Sequence, residues 1–332
     1  HSMKLLITGA AGQLGQAFVS ALEQRSDIEF VAYNRSDLDI TDANNLRQVI
    51  KQTQPDFVIN TAAYTQVDLA ESEIDSAYLV NQTGAANLAK TCQELDIPLL
   101  HFSTDCVFDG KKQGAYSEDD PTQALGVYGA SKLAGEKAVQ QLCAKYLIFR
   151  VSWLFSEFGH NFVKTMLELG STREQLRVVS DQIGKPTCAA EVVRVVLEIL
   201  PALYSELDSE LDSESDKNLD SKWGTYHLAQ PDVISWHGFA EAIFTQAICE
   251  RAGFEKSGLE RTGFVKRVRE ILPIPTDGYP TAAQRPANST LDSTKLQQTF
   301  GITLIGWQQS LAQTLSALEL KQPKNETAQS DE

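Results

Sequence analysis

The chain has 332 residues, of which 42% are hydrophobic and 22% are charged, and this apolar content excludes a mainly disordered chain. Its 29 basic and 44 acidic residues give a formal net charge of −15, which argues against nucleic acid or an anionic membrane surface as a partner. The five cysteines are scattered without a C-x-x-C pair, no histidine spacing is typical of a metal site, and no apolar run reaches the roughly 20 residues of a membrane helix.

Strand and helix patterns alternate through the first 150 residues. Apolar runs predict strands at Lys4–Thr8, Glu29–Tyr33, Asp56–Asn60, Pro98–Ser103 and Leu147–Trp153. Helical spacing predicts helices between them at Leu14–Leu22, Asn44–Thr53, Glu73–Leu95 and Ser131–Lys145. Because these strands are apolar throughout rather than alternating, they favour an α/β fold of the Rossmann type, a doubly wound parallel sheet covered by helices on both faces.

The alternation loosens after Trp153. Short strands are predicted at Arg177–Ser180, Thr225–Leu228 and Gly263–Val268, among helices at Glu191–Leu200 and Trp236–Arg251. The acidic, low-complexity segment Ser205–Lys222 is predicted to be a solvated loop away from any cleft. We therefore expect a dinucleotide-binding domain at residues 3–150, a smaller α/β substrate-binding domain over most of residues 151–320, with some segments returning to the first domain, and a flexible tail at 321–332.

A glycine-rich loop follows the first predicted strand. Gly9, Gly12 and Gly15 form G-x-x-G-x-x-G, with Gln13 and Leu14 opening the predicted helix. Gly9 would permit the tight turn, Gly12 the approach of a pyrophosphate to the backbone, and Gly15 close packing of helix on sheet. The helix N-terminus would offer N–H donors to that pyrophosphate. This position in the chain predicts a dinucleotide site.

The residues after the second predicted strand bear on the choice of cofactor. An NAD site commonly has an acidic residue there, but this strand ends in Asn34 and Arg35. An arginine suits the 2′-phosphate of NADPH, so we expect NADPH, with NADH also possible. The alternative is that Arg35 is an exposed loop residue and Asp37 or Asp39 faces the adenosine; Asp39 and Ile40 could also flank the adenine.

A catalytic pair is predicted at Tyr128 and Lys132, four residues apart on one helix face. The pair follows the strand that ends in Ser103 and Thr104, and carboxyl ends of parallel strands line the ligand crevice of such sheets. Reduction of a ketone needs a proton donor for the developing alkoxide, and a tyrosine whose pKa is lowered by a neighbouring ammonium group can supply it. Thr104 could orient the carbonyl.

The chain resembles the extended short-chain dehydrogenase/reductases, in particular those that reduce 4-keto sugar nucleotides. The resemblance runs from Met3 to about Leu318 and is carried by seven ordered motifs: TGAAGQLG, NTAAYTQVDLAE, STDCVFDG, YGASKLAGE, FRVSWLF, DQIGKPT and RPANSTLD. It implies NAD(P)H-dependent reduction of a dTDP-linked 4-keto-6-deoxysugar to dTDP-L-rhamnose, a step in cell-surface polysaccharide synthesis.

The resemblance also implies roles for individual residues. Tyr128 would be the proton donor, Lys132 its partner and the anchor of the nicotinamide ribose, and Thr104 the third catalytic residue. The middle of the cofactor would be lined by Ala62, Ala63 and Tyr64. Contacts to the dTDP-sugar would come from Val67, Thr104, Asp105, Trp153, Asn161 and Arg285, where Trp153 has core packing and Arg285 a solvated surface position as alternatives.

Two departures from the family pattern concern Cys106 and metal binding. Cys106 stands where a tyrosine is usual, and a small buried thiol is the expected substitute. Some members bridge two subunits through magnesium held by glutamates, but the corresponding positions here are Ala17, Ala190 and Thr294. We therefore expect no bound metal. We also expect a cytoplasmic protein that is a monomer or a homodimer.

Two other functions are compatible with the same motifs. Another sugar-nucleotide reductase or epimerase, such as a GDP-fucose synthase, would need a further cysteine and histidine near the sugar, and His160 is the nearest histidine along the chain. A non-catalytic, NADP-binding regulatory subunit, resembling that of methionine adenosyltransferase, would need no turnover. The Thr104, Tyr128 and Lys132 set favours catalysis.

Overall fold

A six-stranded parallel sheet forms the centre of the computed structural model, which describes residues 2–210, 221–252 and 266–321. In sheet order its strands are β10 (Gly224–His227), β5 (Tyr146–Val151), β4 (Leu99–Thr104), β3 (Phe57–Asn60), β1 (Met3–Thr8) and β2 (Ile28–Tyr33). The chain leaves β1 toward β2 on one side and later returns to β3 on the other. The glycine loop after β1 therefore lies at the switch point where such sheets bind ligands.

Helices connect and cover these strands. Along the first half they are α1 (Gln13–Glu23), α2 (Ala43–Thr53), α3 (Ile74–Tyr78), α4 (Ala85–Leu95) and α5 (Val127–Leu142), with a π-helical turn at Leu79–Gly84 joining α3 to α4. In the second half they are α6 (Phe162–Gly170), α7 (Ala189–Glu210), α8 (Trp236–Ala252), α9 (Thr294–Phe300) and α10 (Trp307–Lys321). None of these helices, in the part of the chain described, is long and apolar enough to cross a lipid bilayer.

Both faces of the sheet are buried, as the continuous apolar strands predicted. On β1, Leu5 and Ile7 point to the core beneath α1 and α7, whereas Leu6 points to the core beneath α2, α4 and α5. On β3, Ile59 faces the first core and Val58 the second. The expected fold class, a doubly wound Rossmann-type sheet, is confirmed.

Later segments contribute both to this sheet and to a second core. Helix α7 packs on α1, and β10 extends the sheet beside β5 in a parallel register with Tyr226 opposite Phe149. A separate apolar core lies among α6, α8 and α10. The short strands around it are β6 (Leu154–Phe155), β7 (Gln175–Val179), β8 (Ile183–Gly184), β9 (Thr187–Cys188), β11 (Ile234–Ser235) and β12 (Glu270–Ile274).

Three predicted elements differ from the structure. Helix α5 begins at Val127, four residues before the predicted start, because the Glu71 carboxylate accepts a hydrogen bond from the Val127 amide at 3.1 Å and so caps it from a distant segment. The strand predicted at 263–268 is wrong for residues 266–268; the strand is β12, which pairs with β7, and residues 263–265 lie outside the described chain. Residues 205–210 of the acidic segment are helical, since they continue α7, while 211–220, like 322–332 of the predicted tail, are not described.

Candidate active site

The glycine loop turns directly from β1 into α1. Gly9 has φ +70°, a left-handed conformation, and a side chain there would also meet the Ala62 amide. Gly15 lies so close to the Gly9 carbonyl oxygen that a Cβ atom would come within 2.1 Å of it. Gly12 precedes α1 with no side chain capping the helix, and a Cβ at Gly12 would have its nearest neighbour at 3.4 Å. The loop thus presents an uncapped helix N-terminus, a site suited to an anion.

The first turn of α1 contacts a loop from the second half of the chain. The Gln13 side-chain carbonyl accepts hydrogen bonds from the Ser156 hydroxyl at 2.9 Å and from the Asn161 amide at 3.1 Å. Leu14 is buried in the core beneath α1. The structure therefore brings Asn161, predicted as a substrate contact, beside a predicted cofactor residue. The Asn161 side chain also caps α6 by accepting from the Lys164 amide.

The loop after β2 leaves one basic side chain free of strong contacts. The Asn34 side chain accepts hydrogen bonds from the Ser36 hydroxyl and the Asp37 amide, which closes a local turn. Arg35 is 84% exposed, with Nε 4.0 Å from Asp39 Oδ2. Hydrogen bonds from the Thr41 hydroxyl and amide lower the pKa of Asp39, so this carboxylate is held within the loop.

Ile40, from the same loop, is buried against the π-helical turn.

The residues after β3 are held by two asparagines. The Asn60 side-chain oxygen accepts from the Thr8 hydroxyl at 2.7 Å and from the Ala62 amide at 3.1 Å, which ties this loop to β1. The Asn81 amide group forms hydrogen bonds with both the amide and the carbonyl of Tyr64. Ala62, Ala63 and Tyr64 are half-buried. They lie next to the glycine loop, where a side chain at Gly9 would touch Ala62.

One face of helix α5 lies against the end of β4. Tyr128 and Lys132 are one helical turn apart, and the Lys132 ammonium group donates a hydrogen bond of 2.6 Å to the Phe102 carbonyl. The Thr104 hydroxyl lies near the Tyr128 hydroxyl and donates a hydrogen bond of 3.0 Å to the Asp105 carboxylate. Burial lowers the pKa of Lys132 to about 8, although the Glu136 carboxylate acts in the opposite direction. The predicted Thr104, Tyr128 and Lys132 are therefore assembled at the carboxyl end of a central strand.

The expectation that Lys132 lowers the pKa of Tyr128 is wrong. Burial, followed by the neighbouring Cys106 and Asp105, raises the pKa of Tyr128, and the hydrogen bond with Thr104 only partly opposes this. The Lys132 ammonium group is directed to the Phe102 carbonyl instead. The phenol consequently keeps its proton throughout the physiological pH range, which is the form that a proton donor needs.

Asp105 is buried beside these groups. Burial raises its pKa to about 6, and hydrogen bonds with the Thr104 and Ser289 hydroxyls act against that rise. The Cys106 thiol lies 3.9 Å from the Asp105 carboxylate, and burial, followed by this negative charge, raises the pKa of Cys106 to about 12. Cys106 is therefore a protonated thiol and not an activated nucleophile.

A small pocket opens beside Tyr128 and Cys106. Val67 and Arg285 also line it, so the structure brings two of the predicted substrate residues to the predicted catalytic tyrosine. The Arg285 guanidinium donates hydrogen bonds to both carboxylate oxygens of Asp68 at 3.0 Å, which fixes its orientation at the pocket. Arg285 is thus neither a freely solvated side chain nor an unpaired cation.

Trp153 lies between the second core and Ser289. Its ring stacks on Trp236 with centroids 3.5 Å apart, and its indole N–H donates to the Ser289 hydroxyl at 3.1 Å. Ser289 lies near enough to Asp105 to lower the pKa of that carboxyl. Trp153 therefore packs against the second core, and its indole N–H is already bound to Ser289.

The sequence did not identify three polar residues of this region. Glu71 and Ser289 stand in the motifs NTAAYTQVDLAE and RPANSTLD, but neither motif indicates that Glu71 binds the start of α5 or that Ser289 lies near Asp105. Glu136, in contrast, lies one turn after Lys132 in the motif YGASKLAGE, so the spacing of four residues could have pointed to it.

A larger cavity of about 800 Å³ lies elsewhere, between α1, α7 and α10. Ala17 and Ala190 line it with methyl groups, whereas the predicted catalytic residues do not contribute to it. Within residues 2–210, 221–252 and 266–321, no group of three or more His, Cys, Asp or Glu side chains could hold a metal ion.

Hydride transfer from a nicotinamide requires a site for the cofactor pyrophosphate and a proton donor beside the acceptor carbonyl. Both lie here at the carboxyl edge of one parallel sheet. The fold and the site define a Rossmann-type, NAD(P)-dependent oxidoreductase.

The comparisons with known proteins are more specific. The family model described as RmlD substrate binding domain matches residues 3–320, and this chain belongs to that family. A protein of Aggregatibacter actinomycetemcomitans named dTDP-4-dehydrorhamnose reductase is 41% identical over 93% of this chain and 97% of its own length. The resemblance inferred from the seven motifs is confirmed.

Two solved structures share the whole fold. A dTDP-4-dehydrorhamnose reductase from Clostridium acetobutylicum, 34% identical, superposes with a TM-score of 0.80 over 96% of this chain and 100% of that one. The enzyme of the same name from Bacillus anthracis, solved in complex with NADP, is 33% identical with a TM-score of 0.79 and the same coverage.

Substitutions at two glycines should separate folding from cofactor binding. Gly15→Ala should lower the free energy of unfolding by about 1–3 kcal/mol, because the new methyl group overlaps the Gly9 carbonyl oxygen. Gly12→Ala should leave stability nearly unchanged and weaken NADPH binding at least about tenfold, because the methyl group fits the loop but occupies the approach of the pyrophosphate. Thermal unfolding and fluorescence titration measure the two effects. Equal NADPH affinity in Gly12→Ala and the unsubstituted protein would contradict this placement.

Substitution of Asp105 should stabilise the fold at alkaline pH. Its pKa rises from 3.8 to about 6 on folding, so the ionised carboxylate opposes folding above about pH 6, by up to about 3 kcal/mol, and not below about pH 4. Asp105→Asn should therefore raise the melting temperature at pH 8 and leave it almost unchanged at pH 4.

Asp109→Asn is the control with the opposite sign. Hydrogen bonds from the Lys111 amide and the Tyr116 hydroxyl lower the pKa of Asp109, so this substitution should lower the melting temperature at pH 8. If Asp105→Asn lowers the melting temperature by the same amount at both pH values, burial of the Asp105 carboxylate does not destabilise the fold.

Proposed function

We propose that this chain catalyses the NADPH-dependent reduction of the 4-keto group of dTDP-4-dehydro-L-rhamnose, giving dTDP-L-rhamnose. The observation that carries the proposal is the placement of Thr104, Tyr128 and Lys132 where α5 packs on the end of β4, two strands from the glycine loop. The names of the close relatives supply the substrate. NADP in the Bacillus anthracis structure supports the cofactor.

The residues present fit a dinucleotide. The uncapped N-terminus of α1, with the open space at Gly12, suits the pyrophosphate, and Ala62, Ala63 and Tyr64 are positioned to line its path. Arg35 can bind the 2′-phosphate of NADPH because its guanidinium is exposed, and its one ion-pair contact, to Asp39, is long at 4.0 Å. NADH would lack this contact, so it is the weaker cofactor in this proposal.

Each catalytic residue has one task in the proposed reaction. When bound, the reduced nicotinamide supplies a hydride to the carbonyl carbon. Tyr128 then protonates the sugar oxygen, since its raised pKa keeps the phenol protonated until negative charge develops beside it. Thr104 orients the carbonyl with its own hydroxyl, which lies beside that of Tyr128, and Lys132 binds the nicotinamide ribose.

The sugar of the substrate is proposed to bind at the mouth of the pocket beside Tyr128, whose interior of about 20 Å³ holds little more than one water molecule, with the nucleotide outside it. Val67 and Cys106 contribute apolar surface, and Arg285 provides a cation whose negative partner, Asp68, leaves part of the guanidinium facing the pocket. Asp105, next to Cys106 of the pocket, can bind a sugar hydroxyl, whereas Trp153 can offer only its ring, because its indole N–H is bound to Ser289. Asn161 does not bind the substrate directly in this proposal, because its side-chain amide already binds Gln13 and the carbonyls of its own loop.

The proposal extends to the setting of the enzyme. Residues 151–320 supply most of the substrate side, and the protein acts in the cytoplasm as a monomer or homodimer without a bridging metal. The methyl groups of Ala17 and Ala190 support the last point, since they stand where carboxylates would be required.

Turnover of dTDP-4-dehydrorhamnose, followed by NADPH oxidation, tests this function, with the GDP-linked analogue as the competing substrate. Tyr128→Phe retains the ring but lacks the proton, so turnover should fall about 10²–10⁴-fold while NADPH affinity is largely kept. Tyr146→Phe is the matched control, because Tyr146 lies at the amino end of β5, away from the site; its turnover should be unchanged.

Normal turnover by Tyr128→Phe would overturn the assignment of the proton donor. Tight NADPH binding without turnover of either sugar nucleotide would favour the regulatory, non-catalytic alternative. Preference for the GDP-linked sugar would replace the substrate but retain the reaction.

A further inference from the structure

Three successive turns of α5 contact three successive residues of β4. Tyr128, Lys132 and Glu136 are spaced by four residues and so share one helix face. Tyr128 meets the Thr104 hydroxyl, Lys132 donates to the Phe102 carbonyl at 2.6 Å, and Glu136 accepts a hydrogen bond of 2.5 Å from the Ser103 hydroxyl. The first two residues belong to the proposed reaction, whereas Glu136 has no role in it so far.

Glu136 is one of the least accessible carboxylates described. It is 1% exposed, and Arg150 from β5 donates to both of its oxygens, with Nη2 to Oε1 at 2.7 Å and Nε to Oε2 at 3.0 Å. Arg150 is itself 4% exposed, and its remaining nitrogen contacts His227. A buried carboxylate with both oxygens bound to a buried guanidinium has a fixed position.

Among the groups around Lys132, Glu136 is the one whose charge favours the ammonium form of Lys132. Its neighbours on α5 are Tyr128, which is protonated, and Glu136. From β5 the neighbouring group is the cation Arg150. From β4 the neighbouring group is His101, whose pKa burial and Lys132 hold well below its ordinary value, so that ring is neutral.

Beyond the end of β4, Cys106 is a neutral thiol, and Asp105 lies nearer Tyr128, whose pKa its charge raises.

We propose that Glu136 is a positioning residue for the reaction, whose carboxylate, fixed by Ser103 and Arg150, keeps the buried Lys132 ammonium group charged and aligned with Tyr128. This inference rests on the proposed function for the role of Lys132, but the contacts themselves do not. The carboxylate acts through Lys132 and touches neither substrate nor cofactor.

The consequence is a defined dependence on pH. With Glu136 present, the pKa of Lys132 is about 8, because the carboxylate offsets part of the effect of burial. Removal of its charge leaves burial unopposed and lowers that pKa further. Lys132 would then lose its proton, and with it its charge, at a lower pH. Activity should therefore fall near neutral pH and recover as the pH is lowered toward 6.

Glu136→Gln tests this, because it retains the shape and hydrogen-bonding capacity of the side chain but not the charge. The alkaline limb of the plot of kcat against pH should move to lower pH by about one unit. Above that limb, this corresponds to a charged fraction of Lys132 that is about tenfold smaller. Glu136→Asp should keep the limb in place even where kcat falls. Ser103→Ala, which removes one hydrogen bond and no charge, should also leave the limb unmoved.

Glu94→Gln provides a matched control. Glu94 binds Arg47 through two hydrogen bonds of 2.7 and 2.9 Å, as Glu136 binds Arg150, but this pair is exposed and joins α2 to α4 away from the site. Its pH profile should equal that of the unsubstituted protein. A kcat for Glu136→Gln that is reduced by the same factor at every pH would show a purely structural role and overturn the proposal.

A second readout keeps this inference separate from the proposed function. The NADPH dissociation constant, measured by fluorescence from pH 6 to 9, requires no sugar and should rise at lower pH in Glu136→Gln than in the unsubstituted protein. If the unsubstituted protein binds NADPH but does not reduce the sugar, the proposed function fails and this shift still supports Glu136. An unshifted binding profile in the variant overturns it.

Unfolding is monitored by circular dichroism in each variant. If Glu136→Gln does not fold because Arg150 is left unpaired, the double substitution Glu136→Gln/Arg150→Met removes both charges together. Its binding profile should shift in the same direction but by less, since Lys132 again lacks its carboxylate while the neighbouring Arg150 cation is removed as well; an unchanged profile or a shift to higher pH would overturn the proposal.

Discussion

The buried Lys132 ammonium group needs a fixed set of partners, and the site is organised around them. Burying a cation is costly unless it is hydrogen-bonded and offset by negative charge. The Phe102 carbonyl supplies the hydrogen bond at the end of β4, and Glu136 supplies the charge one turn along α5. Because the contact fixes the register of helix on strand, it also brings Tyr128 to Thr104.

The scaffold places this contact next to the cofactor loop. The sheet order places β3 beside β4 and β1 beside β3, so the loop after Asn60 and the turn at Gly9 open at the same edge. Ser289 and Trp153, which are hydrogen-bonded to each other, approach Asp105 from the second half of the chain. The active site is therefore built on the sheet at its cofactor side and from distant segments at its substrate side.

Much of the fold and the catalytic set could be predicted because their signals are local. Apolar strands, the glycine spacing and the four-residue interval from Tyr128 to Lys132 each lie within one or two elements. The start of α5 could not be predicted, since its capping group, Glu71, belongs to a distant loop. The position of Ser289 near Asp105 could not be predicted either, since the two residues are far apart in the sequence.

The protonation of Tyr128 shows a different limit of the sequence. Its spacing from Lys132 indicated proximity, but the pKa depends on burial and on which way the ammonium group points. A sequence motif contains neither quantity. The outcome still serves reduction, because the phenol retains its proton until the sugar oxygen takes up negative charge.

Transfer of deuterium from cofactor to sugar tests the central claim most directly. NADPH labelled at C4 of the nicotinamide, on each face in turn, is incubated with the protein and dTDP-4-dehydrorhamnose, and the product is examined by mass spectrometry and proton NMR. One of the two labelled cofactors should give dTDP-rhamnose with a single deuterium at C4 of the sugar. Recovery of the unreduced keto sugar with both cofactors, while NADPH remains bound, would contradict a catalytic role.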